Sequence, residues 1–325
     1  MSPSRLDVLC FGEALVDFLP DRRGRLRDCE RFEAHSGGAP ANVAVGIARL
    51  GLRAAFCGVV GDDEFGRLLE RKLRAEGVET SLRFSGAART GVWFVALDRR
   101  GDRTFFSPSG THGADKLISE VDVRRAPIAR SRWLHCGTSS HVLPSGQRAL
   151  LSAVRRARRL GVRISFDPNV RVHLWRDLRD LRELCKRVFP SCDVAKLSRE
   201  EAETCTGESD PHKAAASLVS RGVKLACITL GPEGAYARQG NREFRLSAPR
   251  VRVVDTTGAG DGFVAGLLSR LPENDPGSIP DTALQAALAF ACAVGSRVCT
   301  RLGAVAGLPG GTFAPPRRQS SGRNG

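Results

Sequence analysis

From about Ala54 onward the chain alternates short apolar runs with longer amphipathic segments, and that alternation leaves few folds open. Short apolar runs separated by helical periodicity describe strands that helices return to the same starting edge, which makes a parallel sheet covered by helices. Ala54-Ala55-Phe56-Cys57-Gly58-Val59-Val60 reads as such a strand. The next segment sets Phe65, Leu69 and Leu73 at helical spacing and stops at Gly77, a residue suited to the left-handed position after a helix. The cycle repeats with a strand over 133–136, a helix over 145–160 closed by Gly161 and a strand over 162–167. Further strands are expected over 194–197 and 225–230.

Two stretches break the rhythm. Residues 18–35 are polar and Arg-rich, and follow a first strand over 8–11 with its continuation near 15–19. Residues 90–107 hold an apolar run over 92–97, the turn Arg99-Arg100-Gly101-Asp102 and a short run over 103–106, which is a hairpin signature. Strands with no helix between them predict a small β-sheet standing out from the α/β body, where it would close over a substrate and exclude water. An edge hairpin of the main sheet fits the same residues. Residues 314–325 have no apolar periodicity and read as a disordered tail.

The segment richest in chemistry is Asp255-Thr256-Thr257-Gly258-Ala259-Gly260-Asp261-Gly262, between a short apolar run over 251–254 and a helix-like stretch reaching Leu268. Glycines at a strand-to-helix turn let backbone N–H groups converge on an anion, and the helix N-terminus adds its positive end. The turn therefore reads as a phosphate cradle. A carboxylate there would repel a ligand that is merely bound. Beside a phosphoryl group in transfer, Asp261 instead accepts the proton of an attacking hydroxyl. Helix capping is the other role open to it, and the turn alone does not separate the two. The chain has no G-x-x-x-x-G-K-[ST], which removes a Walker-type site. After its first strand stands Phe11-Gly12-Glu13-Ala14 instead of G-x-G-x-x-G, which disfavours a dinucleotide-binding dehydrogenase.

A second segment, Ser36-Gly37-Gly38-Ala39-Pro40-Ala41-Asn42, opens a helix that Gly51 ends. Pro40 suits the first turn, the paired glycines allow a ligand close to the backbone, and Asn42 offers a donor and an acceptor to polyol hydroxyls.

In order and separation these two segments resemble the two signatures of the ribokinase-like, PfkB-type carbohydrate kinases, and the likeness runs over about 7–308. Within the family the chain is most similar to fructokinases. That likeness rests on Phe11-Gly12-Glu13, Gly61-Asp62-Asp63-Glu64-Phe65-Gly66, Ala88-Arg89-Thr90, Phe166-Asp167-Pro168-Asn169-Val170-Arg171 with Leu174-Trp175, and Gly231-Pro232-Glu233-Gly234. The resemblance implies a three-layer α/β ribokinase-like fold over 1–313, with a central, mostly parallel sheet flanked by helices. It also implies a small β-sheet lid built from about 15–35 and 90–107.

The activity implied is ATP-dependent phosphorylation of a sugar hydroxyl. Asp261 becomes the base and Gly258, Ala259 and Gly260 the anion hole. Arg171 approaches phosphate or sugar from the opposite side, a surface salt bridge being its other possible role. Asp17, Gly37, Gly38 and Asn42 hold the sugar. On the nucleotide side the likeness assigns Lys196, Ser198 and Glu201, with Ser198 standing where the family usually has Asn, and Glu201 organising Mg2+ through water. Thr229, Gly231 and Gly234 would lie near the ribose and adenine, and Cys292 stands where an adenine-flanking Asn is frequent. Asp255 and Thr257, with carbonyls around Val298, Arg301 and Gly303, correspond to a monovalent-cation loop. The implied cofactors are ATP, Mg2+ and K+.

Family members often carry an Arg after the aromatic pair of the lid hairpin, whereas here Phe105-Phe106 precedes Ser107-Pro108-Ser109. A sugar acid would need that cation for its carboxylate, so a neutral sugar, fructose first, is expected, with Arg89 and Arg103 as the residues able to supply a substitute charge. The alternatives are a kinase for 2-keto-3-deoxygluconate, ribose or a nucleoside, and a non-catalytic sugar-binding protein of the same fold. Retention of Asp261 and its turn weighs against the last.

The net charge of +15 raises nucleic acid as a partner, yet six lysines stand against 44 arginines, and the arginines scatter over the expected helix surfaces instead of forming one stripe. No nucleic-acid partner is expected. No apolar run approaches the roughly 20 residues of a membrane span, and residues 1–7 lack the apolar core of a signal peptide, so a cytoplasmic enzyme is expected. The ten cysteines include no C-x-x-C pair, and most lie in apolar stretches, as Cys10, Cys57, Cys136, Cys227, Cys292 and Cys299 do. They read as buried free thiols. The expected partners are a small sugar and ATP, with a homodimer through the lid compatible with the likeness.

Overall fold

The computed structural model describes residues 5–22, 24–97, 103–108, 110–272, 275–311 and 313. The expected hairpin turn over 99–102 and the expected tail over 314–325 lie outside the described residues. The chain runs through β1 (Leu6–Phe11), β2 (Leu15–Pro20), β3 (Phe32–Gly37), α1 (Ala39–Arg49), β4 (Ala54–Gly61), α2 (Glu64–Ala75), β5 (Glu79–Ser85), β6 (Val92–Leu97) and β7 (Arg103–Phe106). It continues through α3 (Glu120–Arg125), β8 (Ser131–Cys136), α4 (Pro144–Arg159), β9 (Arg163–Phe166), α5 (Leu178–Val188), β10 (Val194–Ser198), α6 (Arg199–Thr206) and α7 (Pro211–Ser220). The last elements are β11 (Leu225–Thr229), β12 (Ala235–Gln239), β13 (Arg242–Leu246), α8 (Ala259–Arg270) and α9 (Asp281–Val298).

Nine strands form one sheet in the order β13-β12-β11-β10-β9-β8-β1-β4-β5. Every pair from β11 to β5 is parallel, and at one edge β12 pairs antiparallel with both β11 and β13. The alternation of β1 shows why helices must cover both faces: Leu9 and Phe11 join one apolar cluster with α4 and α5, while Val8 and Cys10 join another with α1, α8 and α9. This is the three-layer arrangement expected from the sequence. After β1 the chain builds β4 and β5 to one side and later β8 to β11 to the other, so the order reverses at the β1/β8 boundary. In open α/β sheets that reversal opens a crevice at the carboxyl ends of the strands, the usual place for a ligand.

The remaining strands form a second, small sheet in the order β3-β2-β6-β7. Its register pairs Asp17 with His35 on one side and with Trp93 on the other. The hairpin residues therefore belong to this sheet and not to the edge of the main one.

Several local expectations differ from what is found. Residues 251–254 are not a strand; Val251, Val253 and Val254 are exposed, Val253 by 55%, and the Val254 N–H donates to the Cys299 carbonyl at 2.8 Å. The backbone partner of this run is thus the end of α9, not a neighbouring strand. Phe65 faces outward from α2, edge-on to Phe18 of the small sheet at 5.8 Å, while Leu69 and Leu73 enter the core as expected. Of the ten cysteines, eight are buried, and Cys29 and Cys299 are half-buried. No helix among the described residues is long and apolar enough to cross a membrane.

Candidate active site

A cleft opens at the carboxyl ends of β1, β8 and β9 and beneath the small sheet. Glu13, Ser139 and Arg171 enter it from the loops after those three strands, Asp17 and Trp93 from the small sheet, and Asp261 from α8. Sequence positions 248 residues apart thus meet at the topological reversal described above.

The first turn of α8 supplies one wall. Gly258 is its N-cap, in the left-handed conformation at φ +76°, and a Cβ there would stand 2.7 Å from Ala304 Cα. Glycine is required on both counts. Gly260 is already helical; a Cβ added to it would lie 2.8 Å from Lys196 Nζ, so an ammonium stands against the turn. The first amides of a helix have no intrahelical acceptor, and among the described residues only the Ala259 N–H of this first turn has a backbone acceptor, the Thr256 carbonyl at 3.3 Å. Lys196 is buried and paired with Asp167 at 3.0 Å. Burial opposes its ammonium, but the neighbouring carboxylates, Asp167 foremost, outweigh it and hold the pKa above the usual lysine value.

Asp261 is 8% exposed, and its Oδ2 accepts a hydrogen bond from Asn42 Nδ2 at 2.8 Å. Burial pushes its carboxyl up to about 6; the Asn42 bond and the Lys196 and Arg171 charges pull the other way, while Asp167 adds to the rise. Asn42 is held on α1, where its N–H donates to the Gly38 carbonyl at 2.9 Å. The glycine pair before it is also required by its own surroundings. A Cβ on Gly37 would stand 2.1 Å from Asp17 Oδ2, and one on Gly38, at φ +101°, would stand 2.4 Å from the Glu13 carbonyl oxygen. The protein's own side chain and backbone stand where those Cβ atoms would go, while Gly38 also lines the cleft.

Glu201 is likewise engaged. Its Oε1 accepts the Val170 N–H at 2.6 Å and its Oε2 the Ser198 N–H at 2.7 Å, while Ser198 Oγ accepts the Glu201 N–H at 3.2 Å, forming a capping box at the start of α6. The carboxylate fastens the loop that carries Arg171. Thr229 pairs in register with Ser198, and Gly231 and Gly234 follow it, all three outside the cleft. Gly234 admits no other residue, since a Cβ would lie 1.9 Å from the Leu246 oxygen.

At the expected cation loop, Asp255 Oδ1 accepts the Thr257 N–H at 3.0 Å and its hydroxyl at 2.8 Å, and Asp255 Oδ2 accepts the Gly303 N–H at 2.9 Å. The Val298 carbonyl accepts the Arg301 N–H at 3.4 Å. The loop residues are therefore gathered. Among the described residues no cluster of three or more His, Cys, Asp and Glu side chains stands ready for a metal.

With this geometry in hand, residues 5–310 match the pfkB family of carbohydrate kinases. The chain belongs to that family. This carbohydrate kinase is 41% identical over 312 residues to a fructokinase of Klebsiella pneumoniae, covering 93% of this chain and 96% of the relative. It is 40% identical over 310 residues to probable fructokinase-6, chloroplastic, of Arabidopsis thaliana, covering 93% of this chain and 79% of the relative. It also superposes on a fructokinase double mutant from Vibrio cholerae O395, solved with fructose, ADP and potassium ion. The TM-score is 0.83 at 33% identity, over 95% of this chain and 97% of that one.

The cleft of the carbohydrate kinase holds charged residues to which the sequence reading gave no role. In the sequence Glu13 stands out only within Phe11-Gly12-Glu13, and no motif marks Lys116, which lies in a short helical turn over Ala114–Leu117. Both are buried and both line the cleft, and Lys116 pairs with the adjacent Asp115. The available signal was a charged pair inside an otherwise apolar stretch, Ala114-Asp115-Lys116-Leu117-Ile118. Burial raises the Glu13 pKa, opposed by the Lys116 charge. Of the two arginines expected to offer a substitute cation, Arg89 is exposed and outside the cleft, and the Arg103 side chain lies outside the described residues.

Proposed function

We propose that this carbohydrate kinase is an ATP-dependent fructokinase in which Asp261 is the general base. The reading is carried by the buried Asp261 carboxylate, fixed by Asn42 in the first turn of α8, with the Lys196 ammonium beside that turn. Bound ATP with Mg2+ supplies the phosphoryl group. Asp261, with a pKa of about 6, is ionised at neutral pH. Asn42 holds Oδ2, which leaves Oδ1 to take the proton from the sugar hydroxyl.

The amides of Gly260 and Asp261, the positive end of α8 and Lys196 Nζ stabilise charge that develops on the transferring oxygens, and Arg171 does so from the opposite wall. These groups fit an anionic ligand: the amides lack intrahelical acceptors and the ammonium is already in place. Asp17 and Asn42 receive sugar hydroxyls, with Gly38 at the same wall. Leu15, Trp93 and Val95 of the small sheet cover the polar floor and exclude water. Asp255 and Thr257 with the carbonyls of Val298, Arg301 and Gly303 bind K+, as the family likeness implies. Glu201 acts by fastening Val170 and reaches Mg2+ only through water. Thr229, Gly231 and Gly234 lie on the nucleotide side. The buried free thiols suit a reducing cytoplasm.

Measuring ADP formation with fructose, ribose, 2-keto-3-deoxygluconate and a nucleoside tests the substrate. The highest kcat/KM is expected for fructose; preference for any of the others, or no turnover with any, overturns the reading.

A further inference from the structure

Glu13 has one carboxylate oxygen accounted for and one not. Oε1 accepts the Ala39 N–H at 3.3 Å, which places the carboxylate at the N-terminus of α1, a favourable position for a negative charge. Oε2 is buried with no hydrogen-bond partner among the described residues, although the residue is only 3% exposed and lines the cleft. Buried polar atoms in native folds are nearly always satisfied, and an orphan oxygen in a ligand cleft points to the ligand as the missing donor. Capping α1 explains Oε1 and leaves Oε2 unexplained. Lys116, 1% exposed, lines the same cleft, and its ammonium is already neutralised by Asp115.

Resting on the sugar-kinase reading above, we propose that Glu13 determines sugar specificity: its free Oε2 accepts a hydroxyl of the bound sugar and excludes a sugar that carries a carboxylate. A polyol presents neighbouring hydroxyls that both donate and accept, so Glu13 as acceptor and Lys116 as donor are matched to an uncharged sugar. The charge balance acts in the same direction. Along the cleft itself Glu13, Asp17 and Asp261 set three carboxylates against Lys116 and Arg171, and Lys116 is already paired with Asp115 as Lys196 is with Asp167. A sugar acid entering this cleft would desolvate its carboxylate among like charges. Lys116, which by itself would welcome an acid, does not do so while Asp115 and Glu13 stand beside it.

The experiment compares kcat and KM for fructose, 2-keto-3-deoxygluconate and ATP in the wild type, Glu13→Gln and Glu13→Asp, with thermal unfolding as a check that each variant folds. Gln keeps the shape and the acceptor for Ala39 but removes the charge. Glu13→Gln is expected to raise the fructose KM at least about tenfold, with kcat within about threefold and the ATP KM unchanged, a scale normal for a hydrogen bond to a charged partner. The acid-to-fructose ratio of kcat/KM rises at least about tenfold. Glu13→Asp keeps the charge and shortens the reach, so it loses fructose affinity while retaining discrimination against the acid. A wild type active on fructose with an unchanged ratio in Glu13→Gln overturns the role of Glu13 alone, as does a loss confined to kcat. A wild type inactive on every sugar overturns the kinase reading itself.

Discussion

Asn42 on α1 and Asp261 on α8 are joined by one hydrogen bond, Nδ2 to Oδ2 at 2.8 Å, across 219 residues of chain. Both side chains are buried, so this bond fixes the direction of the carboxylate and opposes the desolvation that raises its pKa. The result, about 6, lies where a carboxylate is ionised at neutral pH yet still basic enough to take a proton.

The activity should therefore fall in acid as Asp261 is protonated, with an acid limb in kcat/KM centred near pH 6. A kcat/KM that stays flat down to about pH 4.5 contradicts the assignment. The same shift has a sign for stability. A carboxyl whose folded pKa exceeds its ordinary value contributes stability below about 4 that is lost as the pH rises through about 6. Replacing Asp261 with Asn should raise the melting temperature of the ligand-free protein at pH 7.5, and the gain should shrink toward pH 4. The energy involved is on the order of 3 kcal/mol. A gain independent of pH would mean the carboxylate is not what the substitution relieved.

Asn42 and Asp17 should separate. Asn42→Ala removes a bond that favours the ionised carboxylate, so the acid limb should move upward in pH while the sugar KM rises. Asp17→Ala should raise the sugar KM by about tenfold or more and leave the limb in place. Titrating kcat and KM of both variants across pH distinguishes them, and identical profiles would remove the special standing of Asn42.

Gly37→Ala places a Cβ 2.1 Å from Asp17 Oδ2, so the carboxylate must turn away. The sugar KM should rise at least about tenfold with the ATP KM unchanged, at a stability cost of about 1–3 kcal/mol for overpacking. Steady-state kinetics with each substrate varied in turn decides it; normal sugar affinity would show that Asp17 does not hold the sugar.

Lys196→Met removes the ammonium beside Gly260 and strands Asp167 in the interior. Breaking a buried pair in this way costs about 3–5 kcal/mol, and loss of an oxyanion-type group lowers kcat by about a hundredfold or more. Adding Asp167→Asn should recover much of the stability but none of the turnover. Denaturant melts and kcat of the single and double variants test this, and recovered turnover would make Lys196 purely structural.

What the sequence disclosed follows from locality. β1, β4, β8, β9 and β10 were legible because strands buried on both faces must be apolar along their length. β5, β12 and β13 went unread because they lie at or near the edges, where residues such as Arg83, Arg238 and Glu243 break the pattern. Residues 251–254 misled in the opposite sense, being apolar, exposed and bound to the end of α9. In the site, Asp261 with its glycines and Asn42 with Gly37 and Gly38 announced themselves as contiguous motifs. Glu13 and Lys116 did not, because a lone carboxylate after β1 and a lysine 103 residues later acquire meaning only when the fold buries both along one cleft. The commitment of both Glu201 oxygens to Val170 and Ser198 was hidden for the same reason.

Everything proposed for the cleft depends on Asp261 moving the proton. The most direct measurement is kcat of Asp261→Asn at pH 7.5 alongside calorimetric fructose affinity on the same folded preparation. The expected result is that kcat falls at least about a hundredfold while fructose affinity stays within about threefold. Turnover within a fewfold of wild type would contradict it and leave Asp261 as a residue that only positions Asn42.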